Sequence, residues 1–139
     1  MPDQTCFTWP IRVYYEDTDA AGVVYYANYL RFCERARTEW LRAAGFSQQR
    51  LIDERGLGFV VRSLSAKYRR PAVLDDALEV VSHIDSLGRA SIDFVQRIMR
   101  GTTLLFEARV ALACVDLAQA KPVALPEDVR AQLCRFVSA

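Results

Sequence analysis

Tyr15-Glu16-Asp17-Thr18-Asp19-Ala20-Ala21-Gly22-Val23-Val24-Tyr25-Tyr26-Ala27-Asn28-Tyr29 sets three carboxylates at the end of a strand-like run, then a turn of small residues, then a helix start. Upstream, Thr8 to Asp17 carries Trp9, Ile11, Val13, Tyr14 and Tyr15 and reads as a first strand, because these side chains suit a half-buried sheet. Downstream, Asn28 is the expected N-cap of a long helix. Leu30, Cys33, Ala36, Trp40, Leu41 and Ala44 recur at helical spacing, and Arg37 alone breaks that stripe. Arg31, Glu34, Arg35, Thr38, Glu39 and Arg42 cover the other face, where Arg35 and Glu39 stand four apart and can pair weakly. Gly45, just past the apolar stripe, is a natural stop.

The remainder reads mostly as strand. Ser47 caps a short second helix that ends near Gly56. Leu57 to Tyr68 is extended, and Arg69-Arg70-Pro71 ends it because proline has no N–H for a ladder. Leu78, Val80 and Ile84 alternate with Glu79, His83 and Asp85; Leu87-Gly88-Arg89 follows as a hairpin turn. Ile92, Phe94 and Ile98 alternate with Ser91, Asp93 and Arg97 before a turn at Gly101-Thr102. Leu104, Phe106, Ala108, Val110, Leu112 and Cys114 make the clearest period-two run, and Pro126 to Phe136 reads as a short terminal helix. Hairpin-length turns make the later strands antiparallel. One long helix beside such a sheet is an α+β layer arrangement, with the apolar stripe as the plug of a sheet that curls around it. No repeat or linker divides residues 1–139, so a single domain is expected.

Composition excludes several function classes. Eighteen basic against 17 acidic side chains give a net charge of +1, without the basic excess of a nucleic-acid binder. No window nears the roughly 20 apolar residues of a membrane span. Met1-Pro2-Asp3-Gln4-Thr5-Cys6-Phe7 has no apolar leader core, so the expected location is cytoplasmic. Cys6, Cys33, Cys114 and Cys134 have no metal-ligand spacing with the single histidine, His83. They read as reduced, mostly buried thiols; two disulfides in a secreted domain is the competing reading.

The acidic turn carries the chemistry. A helix that starts near Asn28 leaves its first N–H groups unpaired at a positive dipole end, where a carbonyl oxygen would be polarised. Gly22, with Ala20 and Ala21, lets the backbone bend and a ligand approach. Asp19 could then act as nucleophile or as general base for water. The plainer reading is a solvated or capping turn acid. A calcium loop also begins Asp17-x-Asp19-x-x-Gly22, but Ala21 and Asn28 stand where its fifth and twelfth ligands belong. Gly-x-Ser-x-Gly, P-loop and Gly-x-Gly-x-x-Gly motifs are absent, and His83 lies mid-strand.

Asp19 to Tyr29, preceded by Arg12-Val13-Tyr14-Tyr15-Glu16-Asp17-Thr18, resembles the hotdog-fold 4-hydroxybenzoyl-CoA thioesterase family. It is most similar to the bacterial Tol–Pal-associated acyl-CoA thioesterase branch. Glu34-Arg35-Ala36-Arg37-Thr38-Glu39, Phe46-Ser47-Gln48-Gln49, Phe59-Val60-Val61-Arg62, Leu74-Asp75-Asp76 and Lys121-Pro122-Val123-Ala124-Leu125-Pro126 match in the same order, over nearly the whole chain. The resemblance implies a long helix wrapped by an antiparallel sheet. It also implies dimers joined edge to edge, often paired into tetramers, with active sites at the dimer interface. It assigns catalysis to Asp19 and to the backbone N–H of Tyr26. Gly22, Val24, Tyr25, Asn28, Val61, Arg62, Ser63, Arg89 and Ser91 make the expected substrate-binding set. Arg89 with Ser91 matches a family position near the nucleotide, and the forks of Arg62 and Arg89 suit coenzyme A phosphates; ordinary surface arginines are the alternative. The branch often has histidine where this chain has Tyr26, which removes the residue for a histidine-assisted step and points to a shifted acyl preference.

The expected function is therefore hydrolysis of an acyl-CoA, with a short or medium aliphatic or an aromatic acyl group, to free acid and coenzyme A. No metal or bound cofactor is expected, and acyl carrier protein is a possible alternative carrier. Two other readings stand beside it. One is a non-catalytic acyl-binding or scaffold protein linked to envelope maintenance, which would have no need of Asp19. The other is a hotdog hydratase or dehydratase, which would pair a histidine with an acid.

Overall fold

The computed structural model describes residues 5–137, so residues 1–4 of the stretch read as lacking a leader lie outside the described residues. Strand β1 (Phe7–Arg12) leads through an irregular segment to helix α1 (Asn28–Ala43). Helix α2 (Gln48–Arg55) and strands β2 (Leu57–Tyr68), β3 (Ala77–Leu87), β4 (Ser91–Arg100) and β5 (Thr103–Asp116) follow. A two-residue strand, β6 (Lys121–Pro122), and helix α3 (Glu127–Leu133) complete the chain. The sheet runs β1-β3-β4-β5-β2, antiparallel throughout, with β6 added on β5. It curls around α1, as the hotdog expectation required. No described helix is long and apolar enough to cross a membrane.

Local chemistry explains most boundaries. Gly45 (φ 97°) ends α1: its N–H bonds the Arg42 carbonyl and the Phe46 N–H bonds that of Leu41, the paired bonds of a left-handed helix stop. Ser47 Oγ accepts the Arg50 N–H at 3.3 Å and Gly56 (φ 64°) closes α2, both as expected. Arg55 clamps Asp128 through two bonds of 2.9 and 2.7 Å, tying α2 to α3. That grip holds the Asp128 carboxyl down at about 2. At one edge, β1 is short and contains Pro10; at the other, β2 is twelve residues long and largely exposed, including Val60, Val61 and Leu64.

Three expectations need correction. The first strand stops at Arg12 rather than Asp17, because Asp17 accepts the Tyr14 N–H at 2.8 Å and curls Tyr15–Asp17 into a 3₁₀ turn. Ala27, not Asn28, is the N-cap residue of α1; Asn28 is buried in the first turn and its amide donates to the Asp17 carbonyl at 2.9 Å. The buried face of α1 runs through Tyr29, Phe32, Cys33, Ala36, Trp40 and Leu41, with Leu30 and Ala44 only half-buried, so it is turned from the expected stripe.

Arg37 breaks the stripe without harm because Gln96 Oε1 accepts its guanidinium at 2.7 Å. Gln96 is fully buried, and its amide donates to the Cys33 carbonyl and to Ser82 Oγ, which fixes the direction of its oxygen. None of the four cysteines is in a disulfide; Cys33 and Cys114 are buried, Cys6 is half-buried and Cys134 exposed, so half rather than most of them are buried. Burial pushes the Cys33 thiol up to about 12.

Candidate active site

The acidic turn is a tight hairpin. Asp19 N–H donates to the Val23 carbonyl (2.9 Å) and Gly22 N–H to the Asp19 carbonyl (3.0 Å). Gly22 sits at φ 81°, the left-handed position that a three-residue hairpin loop demands. Asp19 Oδ1 accepts the Ala21 N–H at 2.9 Å, so the capping reading of this acid holds for one oxygen. Its other oxygen has no hydrogen-bond partner among the described residues. Asp19 is exposed in an open concavity that it shares with Tyr15, Thr18, Ala20, Gly22 and Leu74.

Asp17 of the motif and Asp76 of the facing loop play structural parts. Asp17 is buried, and its carbonyl takes the Tyr25 N–H and the Asn28 amide, both at 2.9 Å. It therefore joins the acidic turn to the first turn of α1. Asp76 braces the facing loop by accepting from Val73 N–H (3.0 Å) and Arg100 (2.8 Å). Burial pushes its carboxyl upward, but these two donors outweigh it and hold the group below the usual range. Val23 bridges to Val73 across this seam, and Val24 N–H bonds the Ala72 carbonyl. The Tyr29 hydroxyl accepts the Ala72 N–H at 3.0 Å, which anchors the loop to α1. Val24 itself is a core residue.

At the helix start, Asn28 N–H donates to the Tyr25 carbonyl at 2.8 Å, and the N–H groups of Tyr26 and Ala27 have no acceptor among the described residues. Tyr68 at the end of β2 donates its hydroxyl to the Tyr26 carbonyl at 2.8 Å. The rings of Tyr25 and Tyr26 lie 4.9 Å apart, and that of Tyr26 meets Tyr68 edge-on. The Tyr26 hydroxyl beside it raises the Tyr25 phenol above its ordinary value, first by hydrogen bonding and then by charge, with burial and the Asp19 carboxylate adding to the effect. Asp19 is thus in electrostatic reach of Tyr25.

The nucleotide candidates lie elsewhere. Arg62 occupies a bulge in β2, between the Val61–Leu112 and Ser63–Ala111 pairs. Ser91 pairs with Ala113, which also faces Val60, so Ser91 shares a row with this part of β2. Arg89, exposed in the β3–β4 turn, is held through its carbonyl by Leu125 N–H and the Arg130 guanidinium. At about 3.3 Å per residue, the step from Val61 to Tyr68 spans about 23 Å. One chain therefore gathers Asp19, Gly22, Tyr25, Tyr26 and Asn28 at one end of the sheet. It leaves Val61, Arg62, Ser63, Arg89 and Ser91 toward the other.

A second concavity, about 620 Å³ counted to its mouth, lies under the C-terminal half of α1. Arg37, Trp40, Phe59, Val61, Phe94 and Leu112 are among its walls. His83 sits mid-strand and half-buried on β3, opposite Val95, as expected. No group of three histidine, cysteine or acidic side chains is placed to hold a metal among the described residues. Sequence reasoning missed Tyr68 and the structural use of Asp17. A tyrosine just ahead of Arg69-Arg70-Pro71 was the only local signal for the former.

Residues 13–133 match the family model described as the thioesterase-like superfamily. The chain belongs to that superfamily. Among thioesterase-like relatives, the chain is 54% identical over 125 residues to the Haemophilus influenzae protein named acyl-CoA thioesterase YbgC, covering 90% of this chain and 92% of that one. It is also 54% identical over 129 residues to the acyl-CoA thioester hydrolase YbgC of Escherichia coli O6:H1, covering 92% and 96%. The crystal structure of a probable thioesterase from Bartonella henselae superposes with a TM-score of 0.82 at 38% identity, over 87% of this chain and 99% of that one. The thioesterase-like frame covers the acidic turn, α1 and every main strand after β1.

Proposed function

We propose that this chain hydrolyses acyl-CoA thioesters to a free acid and coenzyme A. The observation that carries the reading is the juxtaposition at the start of α1. There a carboxylate whose second oxygen has no partner among the described residues, Asp19, stands on a hairpin tied by Asp17 to a helix turn whose Tyr26 N–H has no acceptor among them either. Asp19 attacks the thioester carbonyl carbon, or removes a proton from the water that does. The carbonyl oxygen gathers negative charge and is met by the Tyr26 N–H and the positive helix end. The C–S bond breaks: on the water route the proton taken by Asp19 passes to the leaving thiolate, and on the direct route one water cleaves the Asp19–acyl anhydride, restoring the carboxylate, its two protons ending on the thiolate and the released acid. Substrate and water suffice for these steps. The names of the 54%-identical relatives agree with this substrate class.

The split between Asp19 and the arginine candidates favours a site shared between copies. In this proposal two chains pair along the exposed β2 edge, bringing the Val61–Ser63 segments of both onto one seam. Coenzyme A held at Arg62 or Arg89 of one copy can then serve Asp19 of the other. Dimers, or dimers paired into tetramers, working in the cytoplasm on coenzyme A or acyl carrier protein thioesters and linked to the Tol–Pal envelope system, complete the proposal. Sedimentation should give at least twice the chain mass, and a purely monomeric enzyme with full activity would sink the shared site.

Thiol release from short, medium, long and aromatic acyl-CoAs tests the function itself. Turnover of at least one class is expected. Binding of all classes without thiol release would transfer the assignment to an acyl-binding scaffold. Hydration of an enoyl thioester without hydrolysis would transfer it to a hydratase.

A further inference from the structure

A peptide group is planar, and its C=O and N–H point in opposite directions. A bond that grips the carbonyl therefore aims the N–H across the same plane. Two consecutive peptide planes at the start of α1 are gripped in this way. The Tyr25 carbonyl, which shares its plane with the Tyr26 N–H, accepts the Asn28 N–H at 2.8 Å. The Tyr26 carbonyl, which shares its plane with the Ala27 N–H, accepts the Tyr68 hydroxyl at 2.8 Å. The first grip is an ordinary turn bond. The second comes from another element, 42 residues along the chain, and the described residues supply no other donor to that carbonyl.

The Tyr68 ring is itself held. It meets Tyr29 edge-on at 5.4 Å and Phe106 at 5.0 Å, two buried rings that stack on each other at 5.3 Å. Its hydroxyl thus reaches Tyr26 from a platform fixed by the core, although the side chain is half-exposed. Tyr29 also anchors Ala72 and, through it, the acidic turn. The same aromatic group therefore sets both sides of the candidate site.

We propose that Tyr68 is a positioning residue for thioester hydrolysis: by holding the Tyr26 carbonyl, its hydroxyl orients the Ala27 N–H as a second donor to the thioester oxygen beside that of Tyr26. The proposal rests on the thioesterase reading of the Asp19 site. It assigns Tyr68 no contact with the substrate and no proton transfer. A donor already aimed at the developing oxyanion needs no reorganisation when charge appears, so its gain is confined to the transition state.

Tyr68→Phe removes the hydroxyl and keeps the ring. Loss of an entire oxyanion donor costs about 100- to 1,000-fold in kcat, and loss of its orientation should cost less, about tenfold. The expected result is a kcat lower by about tenfold, with KM and the melting temperature nearly unchanged. A KM rise at constant kcat, or a fall in melting temperature with full kcat, would overturn the assignment, because either marks an ordinary binding or packing role.

A second readout does not depend on turnover. A methyl-ketone analogue of acyl-CoA, labelled with ¹³C at the carbonyl, reports polarisation by its infrared stretch. The native chain should lower that stretch more than Tyr68→Phe does, with the analogue bound to saturation in both. Equal stretches in the two proteins would remove Tyr68 from the site. If the native chain neither binds the analogue nor releases thiol while Tyr68→Phe folds normally, the thioesterase reading and this proposal fall together. Native turnover that Asp19→Asn abolishes and Tyr68→Phe leaves intact sinks this proposal alone.

Discussion

Asp19→Asn should fold as the native chain does and lose thioester hydrolysis by at least about a thousandfold, the scale seen when a nucleophile or its activating acid is removed. Folding should survive because Asp19 is exposed and the Oδ1 that accepts the Ala21 N–H has an equivalent in asparagine. The hairpin bonds from Asp19 N–H to Val23 and from Gly22 to Asp19 are backbone bonds and stay. What asparagine cannot supply is the anionic oxygen that this turn leaves unbonded. Steady-state thiol release beside a thermal melt checks both halves. A variant that melts normally and retains more than about a tenth of native kcat would remove Asp19 from the chemistry, whatever the substrate.

Trp40→Ala should give the largest stability loss of any single change considered, about 3 to 5 kcal/mol. Trp40 is 1% exposed. Its ring stacks on Phe7 at 5.8 Å and meets Phe94 and Phe136 edge-on at 5.2 and 4.8 Å. It therefore joins β1, β4 and the C-terminal turn to the helix, and alanine would leave a cavity where three elements meet. A domain of this kind has only about 5 to 15 kcal/mol in all. Trp40→Phe should cost much less, because the indole N–H has no hydrogen-bond partner among the described residues and none is lost. Urea unfolding of both variants decides the matter. A loss below about 1 kcal/mol for alanine would mean that the neighbouring rings close over the gap.

Readability from sequence followed the range of the interactions involved. The hairpins β3–β4 and β4–β5 were legible because alternation and the turns near Gly88 and Gly101 are local signals. Helix α2 was legible because Ser47 and Gly56 act within one turn. The end of β1 was not, because a carboxylate that suits a strand end by composition instead bends the chain onto Tyr14. Asn28 was misplaced for a related reason. Its type suggests a cap, yet its amide is used by Asp17, eleven residues back. The helix face was turned because Tyr29 and Phe32 bury against Phe106 and the sheet while Leu30 stays at the margin. β6 was missed because two residues hold no periodicity. The site shows the same division. Asp19 and Gly22 announce themselves through turn chemistry, whereas the role proposed for Tyr68 rests on a bond that spans the fold.

The unequal sheet edges bear on how far assembly can run. β1 is six residues long and contains Pro10, which has no N–H to offer a neighbour; β2 offers twelve residues. A chain with two open edges can add copies at both and grow a fibre. This chain has one edge suited to a partner and one poorly suited, so a strand-mediated association uses up its own growing point. For copies paired through β2 as proposed, the asymmetry predicts a finite particle, with Pro10 blunting further growth at β1.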